Sequence, residues 1–285
     1  MANVRTIRRR IRSVRNTAKI TKAMQMIAAS KMRRAQLSTI AGRPYAQKIL
    51  EVLADLMAQP AEAEDIHPLL RKREVKSIQL IHITPDRGLC GGLVSNLNRA
   101  AAQFVLGSQA PVRVVTVGKK GRDFMVRTGR DVKAVFTGMP DRPGIADISA
   151  IARLAIDDYT SGQVDRVVVS YAEFVNTAVQ RPVVEQLLPV QPAELRAGEA
   201  VGYIYEPASL RVLGALLPRF VEMQIYHAML EAIASEHSAR MVAMRNATDN
   251  ANELIDSLTL LMNKVRQEAI TKELLDIVGG VAALE

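Results

Sequence analysis

The chain has 285 residues, and the 48% that are hydrophobic suffice for a large core and argue against general disorder. Its single cysteine, Cys90, excludes a disulfide framework, and no apolar run reaches the roughly 18 residues of a membrane-spanning helix. The net charge of +9 is uneven: residues 1–50 hold 13 Lys and Arg without any acid, and the remaining 25 basic and 29 acidic residues give −4. This asymmetry indicates a basic interaction arm on an ordinary acidic protein.

The first predicted element is a long N-terminal helix, assigned to residues 1–58, because the first glycine or proline of the chain is Gly42. Apolar and small residues recur there in alternating steps of three and four, the seam pattern of a coiled coil. The seam consists of Val4, Ile7, Ile11, Val14, Ala18, Thr21, Gln25, Ala28, Met32 and Ala35. Ile20, Met24 and Ile27 lie off this seam, so more than one face of the helix needs a partner.

The basic charge of this helix has three interpretations. A nucleic-acid arm would place it on phosphates, although the segment lacks aromatic residues for stacking on bases. A mitochondrial targeting helix is also Arg-rich and free of acids. A coiled-coil strand that faces acidic partners explains the seam as well as the charge. A solvated face without a partner is disfavoured, because so many like charges repel one another.

A linker at residues 59–74 leads to an α/β domain at residues 75–190. β-branched runs alternate there with helical stretches, which predicts right-handed β–α–β units and a mostly parallel sheet. The predicted strands are Lys76–Thr84, Val112–Val117, Val132–Phe136 and Asp165–Ser170. The predicted helices are Leu93–Leu106, Arg122–Thr128 and Gly144–Tyr159. Pro182–Val190 is a candidate edge strand, because proline is tolerated at an edge better than at a centre.

A connecting segment at residues 191–210 precedes a C-terminal helix at residues 211–285. The stretch between Pro218 and Gly279 lacks glycine and proline and would form a helix of about 90 Å, longer than a compact body of this size. Its seam consists of His237, Met241, Met244, Thr248, Ala251, Ile255, Leu258, Met262, Val265 and Ala269. The predicted fold class is therefore α/β: a long antiparallel coiled coil of the N- and C-terminal helices plus a small Rossmann-like α/β domain.

The sequence contains no set of residues with the spacing of a catalytic site. The loop Asp86–Gly92 follows a strand and opens a helix, where phosphates often bind, but its glycine spacing fits neither nucleotide-binding motif. A tight turn that needs positive φ is the preferred interpretation, with Cys90 as a small buried residue. The four histidines lack ligand spacing, so neither a metal nor another cofactor is predicted. Asp157 and Asp158 are expected to be solvated rather than an acid–base pair.

Five segments, in order along nearly the whole chain, resemble the γ subunit family of F-type ATP synthases. They are Asn16–Arg34 (NTAKITKAMQMIAASKMRR), Thr84–Gly92 (TPDRGLCGG), Tyr203–Pro207 (YIYEP), Ser235–Asn250 (SEHSARMVAMRNATDN) and Ile270–Asp276 (ITKELLD). The resemblance implies a non-catalytic rotor shaft that couples proton flow through a c ring to ATP synthesis or hydrolysis at β subunits. It implies as partners three α and three β subunits, the ε subunit and the c ring, with no nucleic acid.

The resemblance also implies the residues that contact these partners. The residues expected to face a mobile acidic loop of β are Lys22, Met24, Lys31, Arg33 and Arg34, and the polar residues expected beside Met24 across the coiled coil are Arg266, Gln267, Thr271 and Glu273. In this family the α/β domain forms the foot of the shaft on the c ring, and Tyr205 and Glu206 are expected in this foot, beside the c ring. The apolar C-terminal tip, from Leu275 onward, is expected to turn in an apolar sleeve.

The family motif begins close to Met1 and leaves no room for a presequence, so a peripheral position on the cytoplasmic side of a bacterial cell membrane is expected. Two alternatives come from other classes of protein. One is a nucleic-acid-binding protein that uses the basic helix, and the other is a Rossmann-like enzyme that uses the glycine loop.

Overall fold

The structure, a computed structural model, describes residues 4–58, 67–191 and 209–282. Two long helices, α1 (Val4–Ala58) and α5 (Ser209–Ala282), begin and end the described chain. Between them lie β1 (Ile78–Ile83), α2 (Leu93–Gly107), β2 (Val112–Val117), α3 (Lys119–Arg127), β3 (Val132–Phe136), α4 (Ile145–Thr160), β4 (Arg166–Phe174) and β5 (Gln180–Leu188). The chain divides into two compact units, Met1–Ala28 with Met241–Glu285, and Ala29–Arg240.

The first unit is an antiparallel helix pair, as the seam predicted. The hydroxyls of Thr21 and Thr248 form a buried hydrogen bond of 2.7 Å, while Ile7 and Ile11 form an apolar cluster with Leu258. As residue numbers increase along α1, the numbers of the residues that they contact in α5 decrease, so the two helices are antiparallel. Every seam residue of α1 in this unit is buried or half-buried. We call this unit the coiled-coil unit.

The second unit is built on a five-stranded sheet with the strand order β3-β2-β1-β4-β5. All neighbours are parallel except β4 and β5, so the predicted mostly parallel sheet is confirmed. The bounds of β2 and β3 match their predictions, whereas β4 continues four residues further, to Phe174. β5 is an edge strand and contains Pro182, whose missing N–H needs no partner on the outer side. We call this unit the sheet unit.

Successive side chains of a strand point to opposite faces of the sheet, and all six residues of β1 are buried, so both faces are covered. On one face, Ile81 and Ile83 belong to a core shared with α4 and with the parts of α1 and α5 in this unit. On the other face, Leu80 and Val114 belong to a core shared with α2 and α3. The described part of the predicted linker also packs on this body, since Leu69 is only 1% exposed.

Both long helices contain a proline, Pro44 in α1 and Pro218 in α5, which normally costs about 3 kcal/mol inside a helix. Burial explains why the helices continue. Ile49 and Leu53 in α1, and Leu217 in α5, are buried in the core next to these positions. Apolar burial beyond a proline thus offsets the backbone hydrogen bond that the proline lacks.

Candidate partner interfaces

The glycine loop after β1 is a tight turn, as predicted. Leu89 and Gly91 have φ angles of 63° and 59°, in the left-handed region. The two carboxylate oxygens of Asp86 accept hydrogen bonds from the backbone N–H groups of Lys119 and Gly138, each at 2.8 Å. Asp86 therefore ties together the chain segments that follow β1, β2 and β3, and its oxygens are already engaged in holding them.

Helix α5 contacts the carboxyl end of β4, and the carboxyl ends of parallel strands are where a Rossmann-like fold usually binds nucleotide. The Ser235 hydroxyl donates to the carbonyl of Ala172 in β4 at 2.9 Å. The backbone N–H of Phe174 donates to the Glu231 carboxylate at 2.8 Å. These two contacts hold α5 against the carboxyl end of β4.

Cys90 is buried, as predicted, with 2% of its surface exposed. Burial raises the pKa of its thiol, although the charge of Arg240 opposes this shift. The thiolate is the nucleophilic form of cysteine, so this environment disfavours nucleophilic chemistry.

The expectation that Asp158 is solvated is wrong. Its side chain is 5% exposed, and its carboxylate accepts hydrogen bonds from Lys133 Nζ at 2.6 Å and from Gln79 Nε2 at 2.7 Å. Asp157 is exposed, as expected. Asp158 is thus a structural anchor between α4 and the sheet, because a buried carboxylate must be paired and hydrogen-bonded to be tolerated.

Within the described ranges, no group of three or more His, Cys, Asp or Glu side chains is arranged to hold a metal ion. Over the same residues, no helix combines the length and apolarity needed to cross a bilayer.

The surface of the coiled-coil unit has apolar side chains away from its seam. Ile20 and Ile27 are 61% and 55% exposed, and Met24, between them in helical spacing, is half-buried. Basic residues also occupy one face of α1, in alternating steps of three and four. This exposed basic stripe consists of Arg5, Arg8, Arg12, Arg15, Lys19 and Lys22. Within this unit, α1 thus presents apolar and basic surface that α5 does not cover.

The expected neighbours of Met24 across the coiled coil are not its neighbours. The contact of Thr21 with Thr248 fixes the antiparallel register. Arg266 lies 18 residues beyond Thr248 on α5, which is about 27 Å along the helix. The other three expected neighbours, Gln267, Thr271 and Glu273, lie further still. All residues from Arg266 to Val278 are exposed, so the end of α5 is a separate surface.

The remaining predicted interface residues fall in the sheet unit or outside the described residues. Lys31 has a partner within the chain, because its Nζ lies 2.5 Å from the carboxylate of Asp141. Arg33 and Arg34 are exposed. Tyr205 and Glu206 lie outside the described residues.

Sequence reasoning missed the polar residues around Lys31. His237, on the predicted seam of α5, is buried and lies 3.5 Å from Asp141, and Arg240 contacts both His237 and Glu236. The spacing of Glu236 and Arg240 by four residues signals a helical ion pair and could have been found. Asp141 lies in a loop, and no spacing or motif linked it to the helices.

A family model described as ATP synthase matches residues 3–284 of the chain. An ATP synthase gamma chain from Dehalococcoides mccartyi is 61% identical over the whole length of both chains, and one from Roseiflexus castenholzii is 53% identical over 100% of this chain and 99% of its own.

The fold is similar to that of a chain in the central stalk and c-ring structure of the Tetrahymena thermophila mitochondrial ATP synthase. That likeness has a TM-score of 0.62 at 26% identity over 80% of this chain and 99% of that chain. A chain of the Euglena gracilis mitochondrial ATP synthase, with a TM-score of 0.67 at 20% identity over 99% of this chain and 94% of that one, shares the fold. The chain therefore belongs to the ATP synthase gamma chain family, whose members are non-catalytic rotor-shaft subunits of F-type ATP synthases.

Proposed function

We propose that this chain turns inside a ring of three α and three β subunits and couples proton flow through a c ring to ATP synthesis or hydrolysis at the β subunits. The observation that carries the proposal is the surface of the coiled-coil unit. The seam of α1 is buried or half-buried, yet Ile20 and Ile27 remain more than half exposed beside a stripe of basic residues. Such a surface fits a shaft enclosed by other subunits.

The mechanism requires the shaft to interact differently with three otherwise equivalent β subunits. A shaft that bound all three conformations equally would change no nucleotide equilibrium as it turned. Two helices of different sequence give a cross-section without threefold symmetry, and the basic stripe lies on α1 alone. Each orientation therefore presents different charge and apolar surface to a given β subunit.

We assign the contact with a mobile acidic loop of β to two groups on α1. Lys22 and Met24 lie in the coiled-coil unit, and Arg33 and Arg34 lie in the sheet unit. An exposed ion pair contributes only up to about 1 kcal/mol, which biases an orientation without locking it. Lys31, the remaining predicted contact, is already paired with Asp141 and is therefore not assigned to the β loop.

The end of α5 is proposed to contact the ring separately. Arg266, Gln267, Thr271 and Glu273 supply exposed polar groups there, while Leu275, Ile277 and Val278 are each at least 60% exposed. An apolar sleeve around the latter would act as a bearing, because apolar contact is non-directional and rotation breaks few specific bonds.

The foot is proposed to comprise the α/β domain at residues 75–190 and the connecting segment at residues 191–210, with residues 59–74 as a linker. The coiled coil then comprises residues 1–58 and 211–285. Tyr205 and Glu206 would lie beside polar loops of the c ring, and the ε subunit would bind next to the foot. The complex would hold the chain peripherally on the cytoplasmic side of a bacterial membrane.

Rotation is the direct test. The α and β ring is fixed on a surface, a bead is attached to this chain, and ATP is added. We expect rotation in one direction that stops when ATP is removed. Hydrolysis by the complex without rotation of the bead would contradict the proposal.

Mass analysis of the intact complex, purified through a tag on this chain, tests the partners. Three α, three β, ε and a c ring are expected, and a complex without a c ring would contradict the coupling role. Vesicles containing the complex should acidify on ATP addition without sodium, whereas a strict sodium requirement would exclude protons as the coupling ion.

A further inference from the structure

A chain of polar contacts crosses the sheet unit from the glycine loop to α1. Arg240 donates to the carbonyl of Gly88 at 3.2 Å and to the Glu236 carboxylate at 2.7 Å, and its guanidinium lies 3.3 Å from Nδ1 of His237. Nε2 of His237 lies 3.5 Å from Asp141, whose other oxygen accepts from Lys31 at 2.5 Å. We call these six residues the clasp.

The chemistry of these groups fixes the direction of each hydrogen bond. An arginine can only donate, so Nδ1 of His237 is unprotonated and accepts from Arg240. The ring proton is therefore on Nε2 and points toward the carboxylate of Asp141, which can only accept when ionised. Burial lowers the pKa of His237 to about 4, and the charge of Arg240 adds to this shift, so the histidine is neutral.

The clasp joins four separate parts of the sheet unit. Gly88 belongs to the loop after β1, Asp141 to the loop between β3 and α4, Lys31 to α1, and the remaining three residues to α5. Asp141 is the only member that contacts both long helices among the residues described, and its side chain is 56% exposed. A half-exposed carboxylate contributes little to core stability, so its position between the helices calls for another explanation.

We propose that the clasp is the joint that transmits torque between the α/β domain and the two shaft helices, with Asp141 as the positioning residue. The inference rests on the proposed rotary function and names residues that carry it out. The close-packed apolar core holds both helices against the sheet, but its contacts have no preferred direction. Directional, charge-assisted hydrogen bonds resist sliding, and this clasp places them between the loops of the sheet and both helices.

Torsional stiffness of the assembled complex tests the joint. The α and β ring is fixed on a surface, and a bead is attached through Lys120→Cys, an exposed position on α3, with turnover stopped by a non-hydrolysable nucleotide. We expect Asp141→Asn and Lys31→Met each to lose stiffness, seen as wider angular fluctuations of the bead. Asp141→Asn weakens the contacts to both Lys31 and His237, whereas Lys31→Met removes only the first. The double variant should therefore lose no more stiffness than Asp141→Asn alone. Lys31→Arg, which keeps the cation, should retain the wild-type stiffness.

The matched control is Asp131→Asn. Asp131 is a 69% exposed carboxylate of the same unit, pairs with Arg113 at 3.7 Å and lies outside the clasp. The torsional stiffness of the Asp131→Asn complex should equal that of the wild type. The thermal midpoints of all variants should also equal that of the wild type. Wild-type stiffness in Asp141→Asn, or losses that add in the double variant, would overturn the clasp. A wild-type complex that does not turn under ATP would instead contradict the rotary function itself.

Hydrogen exchange on the free, full-length chain gives a readout that needs no assembly. Asp141→Asn should speed backbone exchange at residues 29–35 and 233–240, because both helices lose a contact there. Asp131→Asn should leave these segments unchanged. Unchanged exchange in Asp141→Asn would show that the carboxylate holds neither helix.

Discussion

Each of the two units of this chain is stabilised internally by a different kind of packing. The coiled-coil unit has a narrow seam that mixes Ile7 and Ile11 with small or polar residues, including a buried hydrogen bond between Thr21 and Thr248. The sheet unit has wide apolar cores on both faces of the sheet and encloses the buried carboxylate of Asp158. The comparison suggests that the first unit reserves much of its surface for partners, whereas the second stabilises itself. Core truncations, charge changes and acid should therefore affect the two units unequally.

The largest difference between the two units should come from truncating one isoleucine in each of them. Ile81→Ala removes a side chain that is 1% exposed in the centre of β1 and should destabilise the sheet unit by about 2–5 kcal/mol. Ile27→Ala removes one that is 55% exposed and should change stability by less than about 0.5 kcal/mol. Urea unfolding of the free chain measures both. Equal losses would mean that the exposed face of α1 is already covered in the free chain.

Acid should weaken the sheet unit first, because all four histidines belong to it. Burial lowers the pKa of His82 and of His237 to about 4, from an ordinary value of 6.5. Below pH 6.5, these two histidines therefore bind protons in the unfolded chain but remain unprotonated in the folded chain until the pH approaches 4. The stabilisation is complete above pH 6.5 and falls as the pH approaches 4, by up to about 3 kcal/mol for each histidine.

Hydrogen exchange at several pH values measures this loss separately in the two units. Between pH 7 and pH 5, protection should fall in the sheet unit and stay nearly constant in the coiled-coil unit. His237→Gln should reduce the pH dependence. A parallel loss in both units would exclude the histidines as its cause.

Removing the cation that pairs with Asp158 should have the next largest effect on the free energy of unfolding. Lys133→Met leaves a buried carboxylate with only Gln79 as a side-chain donor, which should cost about 2–3 kcal/mol. Lys76→Met is the control, because Lys76 and its partner Glu74 are both more than three-quarters exposed and 3.5 Å apart. It should change the free energy of unfolding by less than about 0.5 kcal/mol. Equal effects of the two substitutions in thermal unfolding would contradict the buried anchor.

The sequence was informative wherever local periodicity decides the structure. Steps of three and four predicted the seams, and β-branched runs predicted β2 and β3 to the residue. It failed at Asp158 because the two carboxylates of Asp157 and Asp158 point in different directions from one helix. Only the distant strands that supply Gln79 and Lys133 reveal which one is buried.

The error about Met24 and Arg266 has a different origin. Resemblance to a family transfers the identity of interface residues without their antiparallel register, and the register depends on a contact between residues 227 positions apart, Thr21 and Thr248. Asp141 shows the same limit, since a loop residue that joins two helices has no periodic signal. Long-range pairing was the part of the site that could not be inferred from local sequence.

A smaller effect is expected at the seam of the coiled-coil unit. Thr21→Val removes the interhelical hydrogen bond, but the Thr248 hydroxyl still bonds to the carbonyl of Met244 at 2.8 Å. The single variant should lose about 1 kcal/mol, and adding Thr248→Val should cost little more, because the bond between the two hydroxyls is already lost. Thermal unfolding of the single and double variants measures the difference. Additive losses would mean that the hydroxyls stabilise the seam by something other than their mutual bond.

The smallest change in stability should accompany a change in coupling. Met24 is half-buried and lies between Ile20 and Ile27 on the uncovered face of α1, so Met24→Lys should keep its helix and its thermal midpoint. If Met24 faces an acidic loop of β as proposed, the added cation should attract that loop in some orientations of the assembled complex and hold the shaft there. Less proton pumping per ATP hydrolysed is therefore expected, with assembly intact. Met24→Leu is the matched control, because it keeps an apolar side chain, and it should pump normally. If Met24→Lys lowered the thermal midpoint and left pumping unchanged, the residue would serve the packing of the helix pair and not the contact with β.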